Sequence, residues 1–545
     1  MNFKSTHIPY RATGMFTPLV NDYIESKGTA QSFVNYTPNI EGVEKAIAQR
    51  KKYPTNRKVL VQVLQKQYDQ LAAQTTSNHS IVYDTVHANV KLLEQENTFV
   101  ITTAHQPNLF TGPLYFFYKI IQAIQLAADY KKQFPEYNFV PVYYMGSEDA
   151  DIDEVGSFNL GTVSQQWKTK QTGAIGRMKV DDALLQLLQN IEGYWAVKPA
   201  GKDALDILKQ AYQKGNTIIE ATLYLVHAYF GKYGLVVVQP DDVQLKSLFT
   251  KIMEQELTTQ FSHQVIQPTL AKLKAEYHVQ SEGRSINLFY LKEGIRARIE
   301  KQGDQFTIVD TNITFTQEQI LDELKQYPER FSPNVILRGL YQETILPGIV
   351  FVGGGGELAY WMELKTVFEA ASVHYPVLLL RNSFLFIKEK QSSQWSLLGF
   401  EMADLFKPIL DLEVDYVKKQ ANQNLDLTTH IASLNKLYGT IQEDVIKIDA
   451  SLGDHALNLS IQAQKKLALL EKKMIRAEKR KQHTSISRIH NIKGELFPTN
   501  NLQERVENFA EWVGEYGWDW VDVIMENSSK TKANFSIINI EKSAL

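Results

Sequence analysis

The segment from residue 98 to residue 147 constrains the fold more than any other part of the chain. "TFVITT" (98–103) and "FVPVYYMGS" (139–147) are almost continuously apolar. Strands of that kind are buried on both faces, as in a parallel sheet covered by helices. Between them Phe117, Ile121, Ile124 and Ala128 recur at helical spacing, and Phe116 and Ile120 widen the stripe. A broad apolar face belongs on a helix that lies over a sheet. The pattern runs this helix from Pro113 to Tyr130, with the proline in its first turn. Strand, helix and strand in this order make a βαβ unit.

The same grammar returns downstream. "GLVVVQPDD" (234–242) reads as a strand with an acidic exit, and "GIVFVGGGGELAYWMELKTVFEAA" (348–371) as strand, turn and helix. "YPVLLLRNSFLFI" (375–387) supplies one or two further strands. Residues 55–75 carry a helical stripe through Leu60, Val63, Leu64, Tyr68 and Leu71. The expected fold is therefore α/β: a Rossmann-like, doubly wound parallel sheet in a discontinuous core over 1–395. Inserted connecting subdomains are expected at 160–220 and 265–340. After residue 395, Ile431, Leu434, Tyr438, Ile441, Val445, Ile448 and Leu452 alternate steps of three and four. "GD" (453–454) breaks the run, and Ala463, Leu467, Leu470, Met474 and Ala477 resume it. That pattern predicts an antiparallel α-helical coiled coil over 427–485. It sits in a helical domain over 396–525, followed by a C-terminal tail over 526–545.

A chain of 545 residues exceeds one ordinary core, which agrees with several units. With 44% hydrophobic and 22% charged residues it reads as a soluble globular protein. A net charge of −3 gives no bulk attraction to nucleic acid or to an anionic membrane. The basic stretch "KKMIRAEKRKQH" (472–483) is then the solvated face of the hairpin. No apolar run is long enough to span a membrane, and "MNFKSTHIPYRATG" lacks a signal-peptide core. A cytoplasmic protein without nucleic-acid or membrane partners is expected. The absence of cysteine excludes disulfides, thiolate metal sites and a cysteine nucleophile. There is no P-loop, HExxH or GxSxG motif, and the histidines form no metal-ligand spacing.

Four stretches carry candidate chemistry. In "TAHQPNLFTGPLYFFYKI" (102–119), His105, Gln106, Asn108, Thr111 and Gly112 lie where open α/β sheets bind ligands. Free N–H groups at the helix start favour phosphate, and Gly112 lets a ligand approach the backbone. His105 could donate a hydrogen bond to charge developing on a phosphate. A polar turn capped by Asn108 or Thr111 is the alternative. "GSEDADIDE" (146–154) crowds Glu148, Asp149, Asp151, Asp153 and Glu154 together. Such carboxylates repel unless an amine, a magnesium ion or sugar hydroxyls sit among them; an exposed loop with helix caps is the alternative. Gly353, Gly354, Gly355 and Gly356 let the chain turn tightly or lie against a ligand. Beyond them Glu357 follows, and Tyr360 and Trp361 could stack on a ring or pack the core. In "FSPNVILRGLYQE" (331–343), Arg338 could grip a carboxylate or phosphate, with Gln342 nearby, or form a structural salt bridge.

Together "HQPNLFTGPLYFFYKI" (105–120), "GSEDADIDEV" (146–155), "FSPNVILR" with "YQETILPGIVFVGGGGELAYWMELK" (331–365) and "ELFPTNNLQER" (495–505) resemble the cysteine ligase family of bacillithiol biosynthesis, the BshC family. The resemblance spans most of the chain in the right order. It implies a core similar to class I aminoacyl-tRNA synthetases, connecting subdomains and a coiled coil. It also implies a ligase that joins the cysteine carboxyl to the amine of glucosaminyl-malate. A nucleotide, ATP or ADP, is implied, with Mg2+ as a candidate companion, and a homodimer through the coiled coil. His105 matches the first histidine of the synthetases' His-x-Gly-His turn, while Pro107 and Asn108 occupy the Gly-His places. There is no Lys-Met-Ser-Lys-Ser loop, and without cysteine no zinc site of the synthetase kind.

By the chemistry such a ligase needs, His105, Asn108, Asp149 and Asp151 are the catalytic candidates. Gln106, Thr111, Gly112 and Gly353 to Gly356 are assigned to the nucleotide. Glu148, Asp153, Arg338, Gln342, Glu357, Tyr360 and Trp361 are assigned to substrate. No metal ligand is assigned. Two other readings stay open: a nucleotide-binding coiled-coil interaction protein without turnover, and a nucleotidyltransferase acting on another substrate.

Overall fold

The computed structural model describes residues 2–74, 83–161, 163–421, 423–528 and 533–541. The last residue of the helix expected at 55–75, and positions 529–532 and 542–545 of the expected tail, lie outside them. The central sheet has five parallel strands: β1 (Thr98–His105), β2 (Asn138–Met145), β3 (Val236–Val238), β4 (Gly348–Gly353) and β5 (Val377–Leu380). Their spatial order is β5-β4-β1-β2-β3. The chain winds outward from β1 to β3, then returns to the middle and winds the other way. This is the doubly wound order, with its reversal between β1 and β4.

β1 is buried along its whole length except at His105. Its polar side chains need internal partners there, and Thr103 Oγ1 donates to the Val352 carbonyl at 2.9 Å. The covering helix α1 (Tyr115–Gln133) buries Phe116, Phe117, Ile120, Ile121 and Ile124, as the stripe requires. It starts after Pro113, not at it, because that residue and Leu114 are held by the C-terminal part of the chain. Pro113 bridges Asn508, and the Leu114 N–H donates to the Glu507 carbonyl at 2.9 Å. Two more helices frame the site: α2 (Val335–Ile345) leads into β4, and α3 (Gly355–Glu363) leaves it.

The stretch 375–387 makes two strands in two different sheets. Beyond β5, Ser383–Lys388 runs parallel to Asn534–Glu541, which pairs antiparallel with Asn2–Pro9. The first and last described strands of the chain thus join in one sheet, and the change of sheet falls at residues 381–383, before the boundary expected at 395. The second insertion contains an antiparallel sheet of Leu288–Lys292, Ile295–Gln302, Gln305–Ile308, Thr314–Thr316 and Phe331–Pro333.

The helical part comprises α4 (Ile409–Gln420), α5 (Thr428–Ile446), α6 (Ser451–Lys481) and α7 (His483–Leu496). α5 and α6 form the expected hairpin, but its turn is Lys447–Ala450 and not 453–454. Gly453 lies inside α6, where a Cβ would come within 2.8 Å of Ile446. The glycine therefore allows close approach of two helices and does not break one. Ile448, in the turn, is 81% exposed and leaves the seam. Lys479, from the basic stretch, and His490 both hold Glu413 of α4, so that stretch is not wholly solvated. Among the described residues no helix is long and apolar enough to cross a membrane.

Candidate active site

A cavity of about 720 Å³ opens at the carboxyl ends of β1, β2 and β4, over the reversal of strand order. β1 delivers His105 and Gln106. The chain after β2 delivers Glu148, Asp149 and Glu154, and the β4–α3 turn delivers Gly354, Gly355, Gly356 and Glu357. α2 adds Arg338, and the second insertion adds Arg284, Phe289 and Arg296.

His105 ends β1 with its Nε2 buried and without a protein partner. Its ring packs edge-on to Tyr115 at 5.3 Å. Burial, with Lys119 and Arg381 nearby, holds the imidazole well below its ordinary pKa, so it is neutral. A neutral imidazole offers one donor and one acceptor without charge. Lys119 is buried on α1, donates to the Ala104 carbonyl at 3.0 Å and pairs with Glu357. Burial lowers its pKa and Glu357 opposes that shift. Glu357 also accepts the Gly354 N–H at 2.8 Å, which fixes the first turn of α3.

The four glycines divide. At Gly353 a Cβ would lie 2.7 Å from Phe351 and 2.9 Å from Leu358, so packing demands that one. At Gly354, Gly355 and Gly356 no protein atom lies within 3.4 Å of an added Cβ, and the room faces the cavity. Trp361 is fully buried and stacks on Phe351 at 4.5 Å, which is its core reading; Tyr360 reaches the cavity. Tyr360 accepts from Arg338 Nη2 at 2.5 Å, and Gln342 accepts from Arg338 Nη1 at 3.2 Å. Gln342 lies behind Arg338 and in turn donates to Glu343 at 2.9 Å. Arg338 has no carboxylate partner among the described residues, so the salt-bridge alternative does not describe it.

The acidic run is also divided. Glu148 is buried and pairs with Lys246, whose Nζ also donates to the Phe331 carbonyl at 2.6 Å. Burial pushes the Glu148 pKa up and Lys246 opposes it. Asp149 accepts from Gln106 at 3.2 Å and has Arg296 at 3.9 Å. Asp151 accepts the Glu154 N–H at 3.0 Å as a helix cap, and Asp153 is exposed; neither lines the cavity. Glu154 stands at the rim, 3.4 Å from Gln106, with its pKa raised by partial burial and by Asp149 and Asp151. The cations that the crowding demands include Lys246 and Arg296, supplied from far along the chain. Among the described residues no three His, Asp or Glu side chains gather as a metal shell.

Asn108, Thr111 and Gly112 are buried outside the cavity. Phe110, Thr111 and Gly112 all have positive φ, at 51°, 68° and 63°. Asn508 donates to the Phe110 carbonyl at 2.9 Å and to the Gly112 carbonyl at 2.7 Å. At Gly112 a Cβ would lie 2.8 Å from Asn108, so this glycine closes the turn. The motif therefore has two halves: His105 and Gln106 face the cavity, and 108–112 form a joint with the C-terminal part of the chain.

Sequence reasoning passed over Lys119, Arg284, Arg296, Arg381 and Arg505 of the lining. Lys119 interrupts the apolar face of α1, and Arg381 ends the apolar run of β5. A lone charge in either place was a usable signal.

The sequence was compared with known proteins. The model described as "Bacillithiol biosynthesis BshC, N-terminal Rossmann-like domain" matches residues 2–382. That described as "Bacillithiol biosynthesis BshC, C-terminal coiled-coil domain" matches 384–540. The protein named "Putative cysteine ligase BshC" in Flavobacterium johnsoniae is 37% identical over 98% of this chain and 99% of its own. Its namesake in Christiangramia forsetii is 38% identical over 97% and 98%, and that of Bacillus cereus is 26% identical over 99% and 100%. Matched by both domain models and by full-length relatives, the chain belongs to the BshC family of bacillithiol biosynthesis.

Proposed function

We propose that this chain is a nucleotide-dependent, amide-forming cysteine ligase, joining the cysteine carboxyl to the amine of glucosaminyl-malate. The observation that carries the reading is one cavity, at the sheet's reversal, holding both a phosphate-compatible wall and a carboxylate wall. A carboxylate does not condense with an amine unless its oxygen is first made a leaving group. Transfer to a phosphorus of ATP does this, with release of either pyrophosphate or ADP. The amine nitrogen then attacks the carbonyl carbon, the phosphate-bearing oxygen leaves, and the amine loses a proton.

The residues present suit those needs. The open backbone at Gly354 to Gly356 and Arg338, which has no ion-pair partner among the described residues, suit phosphate oxygens. His105 adds a neutral group whose buried Nε2 lacks a protein partner. Asp149 and Glu154, both bonded to Gln106, suit the acceptor's ammonium and the proton it must lose. Mg2+ would enter with the nucleotide. This reading places the protein in the cytoplasm, where its nucleotide is made.

The test is purified protein with ATP, Mg2+, cysteine and glucosaminyl-malate, with product mass measured and pyrophosphate and phosphate followed separately. An amide product of the right mass is expected. Nucleotide cleavage or transfer without an amide would select a nucleotidyltransferase. Nucleotide binding without any turnover would select an interaction protein built around the coiled coil.

A further inference from the structure

Six cationic side chains reach the cavity: Lys119, Arg284, Arg296, Arg338, Arg381 and Arg505. Three face carboxylates: Lys119 faces Glu357, Arg296 faces Asp149, and Arg381 faces Glu504. Arg284, Arg338 and Arg505 have no carboxylate partner among the described residues. They come from different elements: Arg284 from the second insertion, Arg338 from α2, which leads into β4, and Arg505 from the C-terminal domain.

Arg505 belongs to a short segment whose neighbours are all tied down. Gln503 is buried and accepts from the Phe386 N–H at 2.9 Å while donating to the Phe386 carbonyl at 3.2 Å. Glu504 is fully buried and accepts from Arg381 at 2.6 Å, from Ser383 at 3.2 Å and from the Phe384 N–H at 3.3 Å. Asn508 clamps the turn at 110–112. Ordering these groups costs conformational entropy, yet Arg505, which follows Glu504 directly, is exposed and projects to the cavity. The strand that carries these anchor groups, Ser383–Lys388, is itself paired with Asn534–Glu541.

The position fixes which ligand group Arg505 would meet. It lies at the β1–α1 end, where its charge and that of Arg381 both act on Tyr115. His105 is at the same end, 5.3 Å from the Tyr115 ring. Here Lys119 and Arg381 are already ion-paired with Glu357 and Glu504, whereas Arg505 has no carboxylate partner among the described residues. Arg284 and Arg296 are supplied by the insertion, and Arg296 already faces Asp149 beside Gln106.

We propose that Arg505 is a substrate-binding residue that grips the phosphate chain of the nucleotide, and that Gln503, Glu504 and Asn508 position it. A planar guanidinium matches phosphate bidentately, which a lysine at this place would not reproduce. The nucleotide site is then complete only with the C-terminal domain docked, so that domain serves the chemistry as well as any assembly.

This rests on the nucleotide-dependent reading above, so binding and ligation are measured separately. ATP and glucosaminyl-malate are titrated calorimetrically into wild-type, Arg505→Gln and Arg505→Lys protein, and amide formation is followed in parallel. For Arg505→Gln the ATP dissociation constant should rise about 10- to 100-fold, the scale of a lost charge-assisted hydrogen bond. Affinity for glucosaminyl-malate should hold within about twofold, Arg505→Lys should recover part of the loss, and melting should be unchanged because the side chain is exposed. Unaltered ATP binding by Arg505→Gln overturns the proposal, and so does a loss confined to glucosaminyl-malate. Wild-type protein that binds ATP but forms no amide sinks the ligase reading while leaving the Arg505 comparison decisive. Wild-type protein that binds no ATP sinks both.

Discussion

Replacing Asn508 by aspartate isolates the joint between the β1–α1 turn and the C-terminal domain. Asn508 is 4% exposed. Its Oδ1 accepts the Ala510 N–H at 3.1 Å and caps the helix Phe509–Tyr516, a role that aspartate keeps. Its amide group donates to the Phe110 and Gly112 carbonyls, a role that aspartate loses. Two buried acceptors are then unsatisfied, at about 1–3 kcal/mol each. The introduced carboxylate also faces two carbonyl oxygens, which adds repulsion. Against this, the turn relaxes only in part, because the Phe110 N–H stays bonded to Tyr212 at 3.0 Å, and one residue leaving the left-handed region recovers about 1–2 kcal/mol. The net cost is roughly 2–5 kcal/mol, placed locally.

Melting is a poor assay for that change. At about 2.1 cal/mol/K per residue a chain this long unfolds with an entropy near 1 kcal/mol/K, so the midpoint would move only about 2–5 °C. Hydrogen exchange at the amides of 109–116 reads the joint directly. Opening should be roughly 30- to 5000-fold more frequent in Asn508→Asp at neutral pH. It should be less so below the pKa of the introduced carboxyl, where an O–H donor returns. Exchange within about threefold of wild type at neutral pH would refute the assignment of these hydrogen bonds as the joint.

His105→Ala should leave melting and nucleotide affinity near normal while amide formation falls on the order of 100- to 1000-fold, since a preorganised donor acts mainly in the transition state. Asp149→Asn should weaken substrate use, whereas Asp151→Asn should be nearly silent in steady-state kinetics because asparagine caps as well as aspartate. Glu343, with burial as the main cause and Arg50 opposing, has its pKa raised from 4.5 to about 7. The folded state therefore binds a proton that the unfolded state has released between those values, and stability falls as pH rises through that window. Glu363 and Glu507 are also raised to about 7, so urea titrations should show Glu343→Gln removing its own share of that slope, worth roughly 3 kcal/mol at pH 8, and an unchanged slope would count against it. Leu437 and Leu469 are 60% and 58% exposed on the hairpin, so Leu437→Glu with Leu469→Glu should halve the light-scattering mass of a dimer joined there; a wild-type mass of one chain would remove that assembly.

What could be read beforehand follows from where each element finds its partners. β1, β2 and β4 are buried on both faces, so their composition alone marks them. β3 is only Val236–Val238 where the apolar run suggested more, because the acidic exit begins a loop. The antiparallel sheet of the second insertion left no such mark. Ile295–Gln302 is partly buried along most of its length, and Ile295, Ala297 and Ile299 alternate with Arg296, Arg298 and Glu300; that period-two signal was there to be read, but a search for continuous apolar runs passes over it. The hairpin was visible from its heptads, but Gly453 was misread as a break. A helix-packing glycine and a helix-ending glycine look alike until the neighbouring helix is in place.

The same limit governs the site. A turn that receives a phosphate and a turn that receives another domain both need buried hydrogen-bonding groups and backbone of positive φ. Nothing in residues 105–112 separates the two cases, since Asn508 lies 396 residues beyond the Gly112 carbonyl it holds. Likewise the crowding at 148–154 correctly demands positive charge but cannot tell a ligand's ammonium from Lys246, 98 residues away from Glu148. The structure splits each motif: His105, Gln106, Asp149 and Glu154 turn to the cavity, while Asn108, Thr111, Gly112 and Asp151 hold the chain around them. That proximity has a mechanical consequence. Tyr115, which begins α1, contacts His105 on one side and follows the Leu114 N–H bonded to Glu507 on the other. A shift of the C-terminal domain at Glu507 and Asn508 would therefore move the wall that carries His105. Domain docking and ligand binding share one short turn, and the left-handed backbone at Phe110 and Thr111 is held there by the clamp from Asn508 together with the Phe110 N–H bond to the Tyr212 hydroxyl at 3.0 Å.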